Sequence, residues 1–175
     1  MMKLEIYFDY LCEYCEMGWR HWRELLPGYP LITPVWRPCE AHPRASEPYY
    51  GRHSDLAIQG MLLLQEQGGD VAAYNDLIFQ AAWHGGKNIE DPALLAHYGA
   101  MCGVSEPVFY EAVRGGRYQA ALEAANHHAW GRLGVPAVPS YLAENGRRLD
   151  ARLGIGVPKA QFKQFLEELS RTNGT

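Results

Sequence analysis

The 175-residue sequence has no long uninterrupted hydrophobic segment. Its most apolar stretch, at positions 61–64, is followed at once by Gln65 and Glu66, and Glu5 and Asp9 interrupt the first residues. A membrane-spanning helix needs about 20 consecutive apolar residues, and a secretory signal needs a basic end followed by an unbroken apolar run. We therefore expect a soluble, cytoplasmic protein without a membrane partner.

The sequence also lacks an excess of positive charge. Its 16 Lys and Arg residues stand against 20 Asp and Glu residues, which gives a formal net charge of −4, and no basic stripe is present. Proteins that bind phosphate backbones depend on such positive charge. We therefore expect no nucleic-acid partner.

Cysteine is scarce as well. The four cysteines, Cys12, Cys15, Cys39 and Cys102, are too few and too unevenly spaced for a disulfide-dense secreted scaffold. A chain of this length with 47% hydrophobic residues can bury a substantial core by packing alone. The sequence therefore predicts one compact domain, or a domain with a large insertion, whose cysteines are available for chemistry.

The first forty residues have the pattern of a strand, a helix and a second strand. Residues 3–8 (KLEIYF) are rich in branched and aromatic side chains and predict a strand. From residue 13 to 26 the apolar residues recur at steps of four and three, which is typical of one helical face, and a Pro-Gly pair ends the run. Residues 31–37 predict a second strand, in which Pro34 indicates an edge position.

The middle of the chain has the pattern of a helical block. Ser54 is expected to start the first of its helices, and Asp70 and Asp91 are expected to cap the next two, because short polar side chains accept hydrogen bonds from the first turn. Glycine pairs and prolines mark the other boundaries. The predicted helices span 54–67, 70–83, 91–102, 105–115 and 117–133.

The C-terminal part is expected to contain a hairpin and a helix. Asn145–Gly146 suits a tight turn between strands at 140–143 and 147–151. Residues 158–169 carry apolar side chains at helical spacing and predict an amphipathic helix. We expect residues 171–175 to be disordered.

The segment DYLCEYCEMG, residues 9–18, places two cysteines where the first strand gives way to the first helix. A helix N-terminus offers unpaired N–H groups and a partial positive charge, which favour the thiolate, the species that attacks a disulfide. Cys12, at the junction, is therefore the candidate nucleophile. Cys15, in the first turn, is the candidate resolving cysteine, which completes dithiol–disulfide exchange in either direction.

Other readings of these cysteines remain open. A C-x-x-C pair can be half of a zinc site, but such sites usually add a second close pair, and Cys39 and Cys102 stand apart. Redox chemistry is therefore favoured and no metal is expected. We interpret Cys39 and Cys102 as small buried hydrophobic residues rather than as a second disulfide.

Two motifs together resemble a known family. DYLCEYCEMG is similar to the D-P-x-C-P-x-C-x-x-G motif of the cytosolic FrnE-type members of the DsbA-like thioredoxin-fold proteins, and GVPAVPS, at 134–140, resembles their G-V-x-G-V-P-T/S motif. The similarity covers nearly the whole chain. It implies a thioredoxin-like α/β fold in three parts. These are an N-terminal part at 1–39, a helical insertion at 40–116 and a C-terminal part at 117–175.

The resemblance also implies roles for individual residues. Pro139 would be a cis-proline beside the cysteines and belong to the catalytic set, and the backbone of Val138 would pair with an extended substrate segment. Glu13 and Tyr14, between the cysteines, are expected to contact the substrate. Asp9 is a candidate proton relay, and capping the turn is an equally good interpretation.

The sequence departs from the family motif at positions that tune the cysteines. Tyr10 and Glu13 stand where relatives carry proline, and Ala137 replaces a glycine. A carboxylate near Cys12 disfavours the thiolate. We therefore predict a higher Cys12 pKa and a more reducing couple than in DsbA, whose oxidising power comes from a stabilised thiolate.

The expected function is dithiol–disulfide exchange with a substrate protein or a small thiol. A reducing cytoplasm favours reduction or isomerisation over net oxidation. No cofactor is expected, and glutathione is a candidate co-substrate. The oligomeric state is not predicted.

Two other functions are weighed against this one. A glutathione-dependent isomerase or transferase of the HCCA isomerase or kappa-class GST type resembles the same fold, but those enzymes typically lack the second cysteine, so Cys15 argues against it. The chain can also be read as a metal-binding or partner-binding module whose dithiol is vestigial.

Overall fold

The computed structural model describes residues 1–172, which form two compact units. The sheet unit consists of residues 1–41 together with those from 129 onward. The helical unit consists of residues 42–128 and is inserted into the sheet unit along the chain.

The sheet unit is built on four strands: β1 (Met2–Phe8), β2 (Ile32–Pro38), β3 (Ser140–Ala143) and β4 (Arg148–Asp150). Their order is β2-β1-β3-β4, so that β2 lies at an edge of the sheet, as its proline predicts. The first strand pairs parallel with β2 and antiparallel with β3, which pairs antiparallel with β4. The predicted α/β class is confirmed.

The hairpin predicted from Asn145–Gly146 connects β3 and β4. Gly146 has φ 84°, a left-handed conformation that glycine adopts without steric cost, and its N–H donates to the carbonyl of Ala143 at 2.8 Å. This turn fixes the register of β4, in which Arg148 pairs with Leu142.

Within the described residues the α-helices follow the predicted order closely. They are α1 (Glu13–Leu25), α2 (Asp55–Gln67), α3 (Val71–Trp83), α4 (Pro92–Met101), α5 (Glu106–Arg114), α6 (Gln119–Asn126) and α7 (Lys159–Thr172).

Both predicted aspartate caps are present. The Asp70 carboxylate accepts from the N–H of Ala73 at 2.9 Å at the start of α3, and Asp91 accepts from Ala93 at 2.9 Å at the start of α4. Ser54 occupies the N-cap position of α2, as predicted, but its side chain makes no capping bond. The backbone of Ser54, at φ −101° and ψ 0°, lies away from the extended conformation that aims an N-cap side chain at the first turn.

Glycines bring the helices of the helical unit close together. A Cβ added at Gly99, on α4, would lie 2.0 Å from the ring of Phe109, on α5. One added at Gly60, on α2, would lie 2.5 Å from the same ring and 2.4 Å from the hydroxyl of Tyr74, on α3. Both rings are fully buried. Aromatic side chains therefore fill the space that the missing side chains leave.

The predicted helix at 117–133 is α-helical only in its first half. After α6, residues 127–132 form a π-helical turn. The indole Nε1 of Trp130, in this turn, donates to the carbonyl of Glu40 at 2.9 Å. That contact joins residues 90 positions apart in sequence, so helical periodicity gives no sign of it.

The compact units differ from the expected segments in the placement of α6. The helical unit runs to His128, whereas the insertion was expected to end at 116. Side chains of α6 bond within the helical unit, since Gln119 accepts from Gln59 of α2 at 3.2 Å.

No helix within residues 1–172 is long and apolar enough to cross a membrane. Of the segment 171–175, expected to be disordered, Arg171 and Thr172 belong to α7, so the prediction is wrong for these two. The other three positions lie outside the described residues.

Candidate active site

Cys12 and Cys15 lie at the N-terminus of α1 but in different surroundings. Cys12 occupies the N-cap position with an extended backbone, and its carbonyl accepts from the N–H groups of Cys15 and Glu16 at 3.0 Å each. Cys15 is fully buried, whereas Cys12 is partly exposed. Both thiols are free. A substrate therefore has access to Cys12 first.

The two sulfurs have opposite acid–base tendencies. The pKa of Cys12 is lowered, chiefly because the thiol of Cys15 donates a hydrogen bond to it, with help from the backbone N–H groups of Cys15 and Tyr14. Partial burial and the charge of Asp9 work against this shift of the Cys12 pKa. The pKa of Cys15 is raised well above the ordinary value, mainly by burial and then by its bond and charge interaction with Cys12. Cys12 is thus the sulfur that loses its proton more readily, and Cys15 is the one that retains it.

A cis-proline loop, residues 133–139, faces this pair. The Val138–Pro139 peptide bond is cis, as the family resemblance implies. The thiol of Cys12 donates to the carbonyl of Val138, with 3.6 Å between sulfur and oxygen. Gly18 permits the close approach of α1, since a Cβ there would lie 3.3 Å from Cγ of Pro139. The structure therefore brings Cys12, Val138 and Pro139 together.

Asp9 lies buried beneath the cysteines, 2% exposed. Its carboxylate accepts from the N–H of Leu11 at 3.0 Å and from the N–H of Ala41 at 2.6 Å. Its own N–H donates to the sulfur of Cys15 at 3.5 Å. These bonds fix the turn that leads from β1 to α1, and the charge raises the pKa of both cysteines. A relay of protons through Asp9 remains a prediction.

Glu13 and Tyr14 lie at the entrance to the site. Glu13 is exposed and Tyr14 half-buried. The pKa of Tyr14 is raised by desolvation first and then by the charge of Glu13 and a hydrogen bond to it. The carboxylate that raises the pKa of Cys12 is Asp9, the effect that sequence reasoning assigned to Glu13.

An aromatic cluster that sequence reasoning did not place lies under Cys15. The indole Nε1 of Trp22 donates to the hydroxyl of Tyr141 at 2.8 Å, and Phe8 packs edge-on against Trp22 with 5.6 Å between ring centroids. The pKa of Tyr141 is raised by burial and then by the charge of Cys15. Strand alternation predicts that Tyr141 lies on the inner face of β3. It does not predict the contact with Trp22 of α1, which is 119 residues away in the sequence.

The other two cysteines are separate from this pair in environment. Cys39 is fully buried in the sheet unit, and Cys102 is 3% exposed at the end of α4 in the helical unit. Burial, followed by the charge of Asp70, raises the pKa of Cys102 to about 11. Within residues 1–172, no group of three or more His, Cys, Asp or Glu side chains is arranged to hold a metal ion.

Comparisons with known proteins point to one family. The family model described as the DSBA-like thioredoxin domain matches residues 3–169. The uncharacterized protein YwbO of Bacillus subtilis (strain 168) is 23% identical to this chain, and the match covers 79% of this chain and 85% of that protein.

Solved structures with the same fold include two of particular interest. A "probable DsbA oxidoreductase" from Streptomyces coelicolor has a TM-score of 0.77 at 17% identity, covering 96% of this chain and 89% of the other. The cytosolic disulfide reductase DsbM from Pseudomonas aeruginosa, solved with GSH, has a TM-score of 0.68 at 18% identity, covering 97% and 99%. At these identities the likeness shows the fold alone.

Proposed function

This chain belongs to the family of DsbA-like thioredoxin domains and is a thiol–disulfide oxidoreductase, and we propose that it reduces or isomerises disulfides with Cys12 as the nucleophile. The observation that carries the proposal is the asymmetry of the pair. A partly exposed sulfur with a lowered pKa lies at a helix N-terminus, above a buried sulfur with a raised pKa.

The reducing reaction has two steps. The Cys12 thiolate attacks one sulfur of a substrate disulfide, that bond breaks, and the departing sulfur takes up a proton. Cys15 then gives up its proton and attacks the Cys12 sulfur, which releases the second substrate thiol and leaves a Cys12–Cys15 disulfide. Two electrons thus pass from the dithiol to the substrate. Two molecules of a small thiol such as glutathione, oxidised together to one disulfide, restore the dithiol.

Substrate recognition is assigned to the rim of the site. The backbone of Val138 pairs with an extended segment of the substrate protein, on the model of strand addition to a free edge. Glu13 and Tyr14 contact that segment beside the cysteines. Pro139 keeps the loop against the sulfurs, so that a substrate sulfur can align with Cys12.

The reducing direction rests on the electrostatics of Cys12. The net shift of the Cys12 pKa is downward, but the Asp9 charge and partial burial limit it, and a less stabilised thiolate gives a more reducing couple. The likeness to a cytosolic disulfide reductase solved with GSH supports this direction and glutathione as co-substrate. We therefore place the protein in a reducing cytoplasm, among FrnE-type members of the family.

Titrating the thiolate absorbance at about 240 nm tests the tuning. We expect a Cys12 pKa lowered from the value of about 8.5 for free cysteine, but less so than in a DsbA-like oxidant. A value below about 5 would show a DsbA-like oxidant and contradict the reducing direction. Glu13→Gln serves as the matched variant, and we expect it to change this pKa less than Asp9→Asn.

Function itself is tested with the purified protein. Equilibration in glutathione buffers measures the potential of the couple, and a Cys15→Ser variant traps substrate proteins from lysate as mixed disulfides on Cys12. We expect trapped disulfides and reduction of insulin by the wild-type protein. If Cys12 forms no mixed disulfide and insulin stays oxidised, the proposal fails, and stoichiometric zinc in protein purified under reducing conditions would favour the binding-module reading.

A further inference from the structure

The cis-proline loop is held at both ends by β3 and β4. At its C-terminal end the hydroxyl of Ser140 donates to the carbonyl of Ala137 at 2.7 Å, and the N–H of Ala151 donates to the carbonyl of Pro139 at 3.0 Å. The second of these bonds continues the β3–β4 ladder. Together they fix the loop where it enters β3, whereas at its other end the backbone contributes one bond, from the N–H of Val135 to the carbonyl of Ala129 at 3.0 Å.

One side chain on β4 holds that other end. In Arg148, Nη1 donates to the carbonyl of Leu133 at 2.9 Å and Nη2 donates to the carbonyl of Gly134 at 3.3 Å. The third nitrogen, Nε, donates to the carboxylate of Asp150 at 2.7 Å. Asp150 is two residues further along the strand, so it projects from the same face as Arg148 and orients the guanidinium.

We propose that Arg148 is a positioning residue for thiol–disulfide exchange, which keeps the cis-proline loop at its working distance from Cys12. The inference rests on the proposed function, because it assumes that Val138 presents its backbone to the substrate. Arg148 touches neither the sulfurs nor the substrate. It acts through the loop, in which the carbonyl of Val138 lies 3.6 Å from the Cys12 sulfur.

The chemistry of this anchor favours arginine. A guanidinium is a planar fork whose nitrogens can bond two neighbouring carbonyls and a carboxylate at once. A lysine ammonium carries the same charge but offers one compact centre on a flexible stem, so it cannot hold both carbonyls in one fixed arrangement. Arg148→Lys therefore separates the geometry of the anchor from its charge.

The neighbouring residue supplies a matched control. Arg147 also lies in the hairpin and forms an ion pair with Glu168 of α7, but it makes no bond to the loop among those described for residues 1–172. Arg148→Lys and Arg147→Lys are compared for exchange with an extended peptide disulfide and with a small aryl disulfide. The thiolate absorbance gives the Cys12 pKa in each variant.

For Arg148→Lys we expect kcat/KM with the peptide to fall about tenfold, while the rate with the aryl disulfide changes less than about twofold. The Cys12 pKa should fall by about half a unit, since the thiol form loses its acceptor at Val138. Arg147→Lys should leave all three quantities unchanged. Asp150→Asn, which keeps the arginine but loosens its orientation, should shift them in the same direction by a smaller amount.

Two outcomes separate this inference from the function on which it rests. If the wild-type protein does not reduce the peptide, the proposed function fails. If the wild type is active and Arg148→Lys retains both its peptide rate and its Cys12 pKa, the positioning role is overturned, even where the variant is less stable. Should Arg148→Lys not fold, an Asp150→Asn variant with wild-type rates and pKa overturns it equally.

Discussion

The sheet unit and the helical unit use their interiors in different ways. Under the cysteines of the sheet unit, buried polar atoms have partners: Trp22 donates to Tyr141, and Asp9 accepts from two backbone N–H groups. In the helical unit, Gly60 and Gly99 let rings press against the backbone of neighbouring helices. The first interior adjusts the chemistry of a sulfur, and the second provides close packing.

This difference shows why a buried cysteine has different chemical surroundings in the two units. Each contains a buried thiol with a raised pKa, Cys15 in the sheet unit and Cys102 in the helical unit. Cys15 has a second sulfur beside it that carries the complementary shift. Cys102 is influenced instead by a helix-capping carboxylate, that of Asp70. Burial alone therefore does not make a thiol catalytic.

The largest expected effect comes from removing one sulfur in each unit. Cys12→Ala should lower insulin reduction by at least about a thousandfold, because no other described thiol combines partial exposure with a lowered pKa. Cys102→Ala, its counterpart in the helical unit, should keep the rate within about twofold. Rates are measured on reduced protein at equal folded concentration. A comparable loss of insulin reduction in both variants would contradict the functional distinction between the two units.

A smaller effect is expected when the packing of the helical unit is disturbed. In Gly99→Ala the new methyl group would lie 2.0 Å from the Phe109 ring, so the helices must move apart. Overpacking of this kind costs about 1–3 kcal/mol. Urea unfolding should show that loss, while the Cys12 pKa stays at its wild-type value.

Gly28→Ala is the control for this substitution, because no heavy atom lies within 4 Å of the added Cβ. We expect it to leave the free energy of unfolding within about 0.5 kcal/mol of the wild type. A Gly99→Ala protein of full stability would contradict the packing described for the helical unit. A shifted Cys12 pKa in Gly99→Ala would contradict the expectation that packing in the helical unit leaves the cysteine site unchanged.

Features that arise from neighbouring residues were predicted well from the sequence. The caps at Asp70 and Asp91 and the turn at Asn145–Gly146 follow from a few adjacent residues whose side chains or backbone freedom decide the local structure. The cysteine pair was found from its spacing at the predicted start of a helix, whereas the cis bond at Pro139 was implied by the family resemblance.

Features that depend on distant backbone groups were not predictable. Glu13 is closer in sequence to Cys12 than Asp9 is, yet the fold holds Asp9 beneath the sulfurs by a bond to Ala41, 32 residues away. The role of Arg148 was not predicted for the same reason. Its partners are backbone carbonyls, which every residue offers, so no residue type in the loop marks the contact.

The smallest expected effect is on the pH dependence of the free energy of unfolding. It comes from Cys102, a thiol of the helical unit. Thiols of the unfolded chain titrate near about 8.5, whereas the pKa of Cys102 in the folded protein is about 11. Between these values the unfolded chain releases a proton that the folded chain retains, so a contribution fully present below about pH 8.5 is lost as the pH rises.

Cys102→Ala should therefore lose less stability than the wild type between about pH 8 and pH 10, when both are kept reduced. We expect the difference to reach about 1–2 kcal/mol, because burial holds the pKa of Cys102 well above that of an unfolded thiol across this range. Urea midpoints across this range measure it. Parallel declines in the two proteins would mean that Cys102 titrates as it does in the unfolded chain, and Cys15 would then be the one buried thiol whose surroundings alter its chemistry.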